Sequence, residues 1–121
     1  MIDHVGLDVQ DYETSLAFYR KALAPLDYEL VVEIQGWAGF GRGGVPTFWI
    51  RGGRKTSPAV HIALRARNRD QVGAFHVAAL AAGGRDNGEP GPRTHYHEHY
   101  FGAFILDPDG HNIEAVCHDP A

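Results

Sequence analysis

The chain has 121 residues, the size of one domain, and its 44% hydrophobic and 21% charged residues are typical of a globular protein and not of a disordered one. Its net charge of −4 at pH 7 excludes an extended basic surface for nucleic acid or anionic membrane. The one cysteine, Cys117, excludes an internal disulfide. No apolar run approaches the roughly 20 residues of a membrane span. Since no signal peptide is recognised before the first strand, we expect a cytoplasmic protein.

The first half of the chain, residues 1–52, is predicted to form one β-α-β-β-β module. Ile2–Val9 alternates between apolar and polar residues, as a half-buried strand does. Asp11 is placed to cap the N-terminus of a helix, and Pro25 ends that helix. Three further strands are predicted after it, over Tyr28–Ile34, Trp37–Phe40 and Val45–Ile50.

The second half, residues 57–121, follows a polar connector and repeats the same pattern. Ala59–Ala66 alternates as a strand, Asn68 is the next helix N-cap, and Gly83-Gly84 stops the second helix. The remaining predicted elements are a short strand at Arg85–Glu89, an irregular loop at Pro90–Glu98, a strand at Tyr100–Leu106, and a last strand that ends near His118.

The two halves are in register over several distinctive residues, which indicates an internal repeat. Residues of the strand, the cap and the helix recur with an offset of 57, in the pairs His4 and His61, Asp11 and Asn68, and Phe18 and Phe75. Later pairs, including Phe40 with Leu106 and Gly44 with Gly110, have an offset of 66. The second copy therefore contains nine extra residues, which we place in the loop 88–99. We predict an α+β fold in which two paired βαβββ modules form a curved mixed-sheet cup with helices on its outer face.

A carboxylate and two imidazoles occupy corresponding places in these modules. His4 and His61 lie on the polar face of the first strand of each module, and Glu114 lies on the last strand, just after the turn Asp107–Gly110. Two imidazoles and one carboxylate are a competent ligand set for a divalent transition metal. The alternative is a pair of structural strand histidines with one solvated glutamate.

Residues His4, His61, Glu114 and the preceding Asp107–Gly110 turn, within paired βαβββ modules, resemble the vicinal oxygen chelate superfamily. This group includes glyoxalase I, extradiol dioxygenases, fosfomycin-resistance transferases and bleomycin-resistance proteins. The resemblance covers essentially the whole chain and implies a metal held in the cup by His4, His61 and Glu114. It also implies a homodimer and a small-molecule substrate that chelates the ion through adjacent oxygens. The ion could be Fe, Mn, Zn, Ni or Co.

The resemblance also separates the activities within the superfamily. The first-module counterpart of Glu114 is expected at Phe48, which cannot bind a metal, so glyoxalase I activity is disfavoured. Extradiol dioxygenases resemble the chain better because they use two histidines and one glutamate. They usually have a tyrosine ten residues before that glutamate, where this chain has Phe104, and an acid–base histidine about nineteen residues before it, where His95 stands.

The segment 94–100 contains three histidines and two tyrosines and is predicted to lie over the mouth of the cup. His95 and His97 are candidate catalytic proton carriers near neutral pH. The alternatives are a solvated loop or a separate metal site. The remaining predicted pocket residues, Phe48, Arg93, Tyr100 and Phe104, would provide aromatic walls and one group for a substrate carboxylate.

Three functions remain open from the sequence. An extradiol-dioxygenase-like enzyme agrees best with the expected ligands. A lyase or isomerase of the glyoxalase type could use the same three ligands with water. A metal-free protein similar to the bleomycin-resistance members would only sequester a drug or metabolite.

Overall fold

Two copies of one β-α-β-β-β module make up the fold, as predicted. In the computed structural model, which describes residues 1–120, the elements are β1 (Val5–Val9), α1 (Tyr12–Ala22), β2 (Glu29–Ile34), β3 (Trp37–Arg42), β4 (Val45–Gly52), β5 (His61–Arg65), α2 (Arg69–Ala81), β6 (Arg85–Pro92), β7 (Phe101–Leu106) and β8 (Asn112–Cys117). Within residues 1–120, neither helix has the length and apolar character needed to span a membrane.

Each module forms its own four-stranded mixed sheet. The strand orders are β1-β4-β3-β2 and β5-β8-β7-β6. In each sheet the first strand pairs in parallel with the last strand of its module, and the other pairs are antiparallel. The first strands β1 and β5 are therefore edge strands. His4 lies just before β1 and His61 is the first residue of β5, so both histidines stand at sheet edges.

Both helices begin where the sequence predicts, because a side chain at each start accepts a backbone hydrogen bond. The Asp11 carboxylate accepts from the Thr14 N–H at 3.0 Å, and the Asn68 amide oxygen accepts from the Gln71 N–H at 2.8 Å. Helix α1 ends at Ala22, slightly earlier than predicted, since the segment around Pro25 turns into a short 3₁₀ helix.

One hydrophobic core serves both modules, and the helices α1 and α2 pack against each other. The repeated residues Phe18 and Phe75 are both fully buried in it. Cys117 is a buried free thiol, as its position on the helix-facing side of the last strand predicts. Burial of aromatic and aliphatic side chains from both halves stabilises the modules as one unit.

A buried polar contact joins the first helix to the second module. The Tyr19 hydroxyl donates to Oδ2 of Asp107 at 2.5 Å, and both residues are almost inaccessible to solvent. The other carboxylate oxygen, Oδ1, accepts from the backbone N–H of Asp109 and His111. Gly110 closes this turn with a φ of 88°, which a glycine adopts without strain.

The strand register corrects one expected correspondence. Val5 of β1 pairs with Phe48, whereas the equivalent Ile62 of β5 pairs with Ile113. The strands therefore correspond with an offset of 65, and the offset of 66 holds only at the glycine turns, because the sheet has an irregularity between Phe40 and Gly41. The counterpart of Glu114 is accordingly Trp49, not Phe48.

The second module has eight extra residues at the observed offset of 65, one fewer than the offset of 66 indicates, and they lie close to where they were expected. The turn between β2 and β3 spans only residues 35–36, whereas the connection between β6 and β7 spans 93–100. Strand β6 is also longer than β2 and carries two register shifts. The histidine-rich segment is thus an insertion that the first module lacks.

Candidate functional site

The centre of the candidate site is a contact between His61 and Glu114 on neighbouring parallel strands. Nε2 of His61 lies 2.8 Å from Oε1 of Glu114. The Glu114 side chain is only 1% exposed, while the imidazole is 51% exposed. A carboxylate so deeply buried needs polar partners to stay ionised, and the half-open imidazole gives this pair access to a ligand.

The second oxygen of Glu114 is held by Tyr100, which donates its hydroxyl to Oε2. Gly102 leaves room for this contact, since a Cβ there would lie 3.1 Å from the same oxygen. Burial, together with the hydrogen bond to Glu114, raises the pKa of Tyr100 well above its usual value, so the phenol remains a donor at neutral pH. The tyrosine hydroxyl at this carboxylate thus comes from Tyr100, four residues before Phe104.

His4 does not join this pair within one chain. Its imidazole is exposed, and Nδ1 lies 2.7 Å from the carboxylate of the adjacent Asp3. His4 and His61 both line a cavity of about 490 Å³. Within residues 1–120, however, no three His, Cys, Asp or Glu side chains are close enough together to hold a metal ion. The structure thus brings together two of the three predicted ligands.

Asn112 is a site residue that the sequence reasoning did not single out. It pairs with His61 in the strand register, and its Oδ1 atom is buried without a hydrogen-bond partner in residues 1–120. A buried unpaired acceptor is costly in a folded protein and is often satisfied by a ligand, an ion or water. The alternation of β8, which places Asn112 on the face of Glu114, was the available signal.

Of the predicted pocket residues, Phe104 and Arg93 lie beside the pair. The ring centroid of Phe104 is 6.1 Å from that of His61, and the Arg93 guanidinium lies 5.4 Å from the centroid of Phe104. Arg93 also donates to the backbone carbonyls of Glu89 and Gly91. Its role in this structure is therefore to hold the end of β6 in place over Phe104.

Phe48 packs in the hydrophobic core and also borders the cavity that His4 and His61 line. Its side chain is 1% exposed, and its ring centroid is 4.9 Å from that of Tyr19. The expectation that Phe48 forms an apolar pocket wall assumed the offset of 66. With the observed register, the neighbouring Trp49 takes the open face of the strand.

The histidine-rich loop is exposed and is connected to Glu114 through aromatic rings. The ring of His95 packs on Tyr96, with centroids 4.1 Å apart, and Tyr96 packs edge-on against Tyr100 at 5.1 Å. The ring of His97 lies 5.4 Å from that of His118. Both candidate proton carriers are thus near Tyr100 in the loop, and neither contacts the His61–Glu114 pair directly.

A second cavity, of about 470 Å³, lies on the open face of the first module and is lined by His4, Gly6, Ile34, Trp37 and Trp49. We call it the tryptophan cavity. The positions of Trp37 on β3 and Trp49 on β4 place both side chains on the face opposite the core residue Phe48, and His4 lies on the walls of both cavities.

Comparison with known families decides the classification of this chain. The family model of the Glyoxalase/Bleomycin resistance protein/Dioxygenase superfamily matches residues 1–115. The chain belongs to this superfamily. This confirms the resemblance drawn from His4, His61, Glu114 and the Asp107–Gly110 turn. No curated protein matches this superfamily member significantly.

Solved structures agree with the family assignment. A glyoxalase/bleomycin resistance protein from Albidiferax ferrireducens T118 is 27% identical with a TM-score of 0.81, covering 97% of this chain and 98% of that one. A hypothetical protein from S. aureus is 25% identical with a TM-score of 0.70, covering 97% and 94%. The fosfomycin resistance protein FosX from Mesorhizobium loti, 19% identical with a TM-score of 0.71 over 98% and 92%, shares the fold.

Proposed function

We propose that this superfamily member is a metal-dependent enzyme that acts on a small molecule able to chelate a divalent metal through adjacent oxygens. The observation that carries the proposal is the buried carboxylate of Glu114 held 2.8 Å from the half-exposed imidazole of His61. An imidazole nitrogen and a carboxylate oxygen on adjacent rigid strands are donors that suit Fe, Mn, Zn, Ni or Co.

The donors of one chain fit such an ion only in part, because catalytic metal sites usually have three protein ligands. We propose that the third ligand is the partner's His4 in a homodimer. His4 supports this role because it is exposed and stands at the start of the edge strand β1. Its imidazole has a hydrogen bond only with the adjacent, exposed Asp3, so a second copy can approach it.

When bound, the ion supplies Lewis-acid polarisation and a template for the two substrate oxygens. The protein's own residues prepare the place for it. Tyr100 fixes Oε2 of Glu114 and leaves Oε1 directed toward His61. Phe104 lies beside the imidazole, with the two ring centroids 6.1 Å apart. His95 and His97 are the candidate groups that take up or release a proton at their ring nitrogens during the reaction.

Within this proposal, oxygen-dependent ring cleavage of a catechol is the reaction that we favour. The two-histidine, one-carboxylate set is the facial arrangement of non-haem Fe(II) oxygenases. Oxygen uptake on addition of catechol to the iron-loaded protein supports this reaction. A metal-loaded protein that consumes no oxygen is instead to be tested as a lyase or isomerase.

A mixing experiment tests the shared site. His4→Ala and Glu114→Gln proteins should each lose metal binding alone. In a mixed dimer, the Glu114→Gln chain still provides His4 to the intact His61–Glu114 pair of its partner. Random exchange makes half of the dimers mixed, with one intact site of two, so metal content measured by mass spectrometry should return to about a quarter of wild type. A site built within one chain predicts no recovery.

We expect Tyr100→Phe to weaken metal binding by about 10- to 100-fold, the usual cost of losing a residue that orients a ligand. The variant leaves Oε2 of the buried Glu114 without its donor, so the carboxylate is no longer held in the orientation that the metal needs. Calorimetric titration with Co²⁺ at neutral pH measures the loss. Tyr96→Phe is the matched control, since Tyr96 is exposed and its ring packs on those of His95 and Tyr100 without a hydrogen bond to Glu114. Equal losses in both variants would contradict the prediction.

The second candidate is a metal-free protein that sequesters an aromatic drug or metabolite. It is favoured by one observation, namely that both oxygens of Glu114 already have partners without an ion. Metal analysis of protein purified without chelator separates the two candidates. About one first-row ion per chain supports the enzyme, and no ion together with tight binding of aromatic compounds supports sequestration.

A further inference from the structure

We infer that the tryptophan cavity binds a flat aromatic group, and that this group is the body of the molecule whose oxygens the proposed site would hold. Only the link between this aromatic group and the proposed site rests on the proposed function. The cavity itself is a property of one chain. Its volume of about 470 Å³ falls within the 300–1,000 Å³ range of small-molecule pockets.

The shape of the cavity favours a planar ligand. Two glycines shape it, one in the cavity wall and one under the indole of Trp49. Gly6 lines the cavity directly, and a Cβ there would find its nearest neighbour, the Cβ of Trp49, at 3.9 Å. Gly39 lies beneath Trp49, since a Cβ at Gly39 would be 3.0 Å from two atoms of the indole ring. The indole therefore lies close against the sheet and presents a broad face, on which an aromatic ring stacks in an offset arrangement.

The polar groups around the cavity set how the ligand lies. A neighbouring cavity of about 330 Å³ shares Trp37 and Trp49 and adds Asp8 and Arg51. The Arg51 guanidinium donates to both oxygens of Asp8 and covers Trp37 at 5.1 Å from the ring centroid. This ion pair is internally neutralised and lies to one side of the tryptophan cavity. The polar end of the ligand is thus directed to His4, the residue that this cavity shares with the cavity of His61.

The apolar exposure here is large for a small protein without a ligand. Ile34 is 62% exposed and Trp37 is 43% exposed, and contiguous exposed apolar surface of this kind usually marks a binding site. A second copy of the chain is the competing occupant. A concave cavity with an indole face suits a small ring better than a flat subunit contact, and a dimer that places His4 in its partner's site leaves the cavity as the floor beneath the substrate.

The experiment uses the two tryptophans as reporters, because they are the only ones in the chain and both line the cavity. In metal-free ¹⁵N-labelled protein, titration with phenol or catechol should shift both indole N–H signals with a dissociation constant on the order of 0.1–1 mM, as expected for a ligand of this size. trans-1,2-Cyclohexanediol, which has adjacent oxygens but no aromatic ring, should bind at least about tenfold more weakly than catechol, since stacking on the indole is lost.

Gly6→Val tests the location. Valine suits a strand, and its side chain would occupy the cavity while both tryptophans remain, so the aromatic probes should bind about tenfold more weakly or not at all. Val77→Ala, which removes a 68% exposed apolar side chain from the distant helix α2, should bind them as wild type does. Sedimentation of each protein shows whether a variant alters the dimer, and thermal melting shows that it is folded.

The outcomes separate this inference from the proposed function. Indole shifts with the aromatic probes in metal-free protein, lost in Gly6→Val, support the aromatic site even if no metal binds. Absence of shifts up to about 10 times the expected dissociation constant, equal binding by Gly6→Val, or binding of cyclohexanediol as tight as that of catechol overturns it. If Gly6→Val instead dissociates a dimer and the probes have no effect on wild type, the cavity is a subunit interface and the inference is wrong.

Discussion

Glu114→Gln is expected to abolish metal binding, taking the metal content of the purified protein from about one ion per chain to none. Glutamine has nearly the same shape, but it removes the negative charge and one of the two oxygens that could bind an ion. Glu114 is buried to 1% exposure, and its oxygens are held by His61 and Tyr100, so the substitution acts directly on the proposed ligand. We expect the affinity for Co²⁺ to fall by about 100-fold or more, beyond the loss from removing an orienting partner.

Glu33→Gln is the matched control for this substitution. Glu33 also accepts a hydrogen bond from a tyrosine hydroxyl, that of Tyr12 at 2.7 Å, but it is exposed and lies on the first module. The control therefore removes one charge and disturbs one tyrosine without touching the proposed ligands. Calorimetric titration with Co²⁺ and thermal melting of both variants are the measurements. Retention of metal by a folded Glu114→Gln protein would remove Glu114 from the proposed ligand set.

The fold could be predicted from the sequence because its determinants are local and repeated. Asp11 and Asn68 each cap a helix through their own side chains, so their spacing to the following apolar residues is readable without tertiary information. The same is true of the turn that Asp107 and Gly110 close. Since each feature occurs at a matching place in both halves, the repeat strengthens every single assignment.

Strand alternation was the sequence signal from which part of the site could be predicted. Alternation places Glu114 on the open face of β8, and the parallel pairing of β5 with β8 brings His61 beside it. It could not give the offset between modules, because the irregularity beside Phe40 shifts the register by one residue and a one-residue shift exchanges the two faces. For this reason Phe48 was expected on the face that Trp49 occupies.

Long-range contacts were the other limit of the sequence reasoning. Tyr100 reaches Glu114 from a loop whose path depends on the insertion before β7, and no periodicity describes such a loop. His4 shows the converse case. Its place on the first strand was readable, but whether its imidazole meets His61 depends on how the modules, or two chains, pack together.

The buried contact between Tyr19 and Asp107 leads to the largest stability effect that we expect from removing a single atom. Tyr19→Phe keeps the ring in the core and removes only the hydroxyl that donates to Oδ2 of the buried carboxylate. A hydrogen bond to a charged group contributes about 1.5–3 kcal/mol, and we expect the free energy of unfolding, measured in urea, to fall by that amount. Tyr96→Phe, at an exposed ring, should change it by less than about 0.5 kcal/mol.

A double-mutant cycle with Asp107→Asn shows whether the loss belongs to this contact. The amide of this variant would keep an oxygen to accept from the turn backbone, as Oδ1 of Asp107 does from the N–H groups of Asp109 and His111, while weakening the bond to Tyr19. If the two groups act through each other, the double variant should lose clearly less than the combined losses of the single variants, with a coupling of about 0.5–3 kcal/mol. Additive losses would show that the contact does not stabilise the joint between the modules.

The same contact should make stability fall at alkaline pH. Burial, reinforced by the charge of Asp107, raises the pKa of Tyr19 well above its usual value of 10.0. The unfolded phenol therefore loses its proton near pH 10, while the folded phenol keeps it. The stabilisation is fully present below pH 10, and above it the free energy of unfolding should decrease by up to about 1.4 kcal/mol per pH unit for this group.

Tyr12 and Tyr100, whose pKa values are also raised, contribute to the same decline, but they are unchanged in Tyr19→Phe and cancel in the comparison. The urea-derived stability of Tyr19→Phe should therefore fall less steeply between about pH 9.5 and 11 than that of wild type. Parallel curves would mean that Tyr19 ionises with equal ease in both states, and they would contradict this prediction.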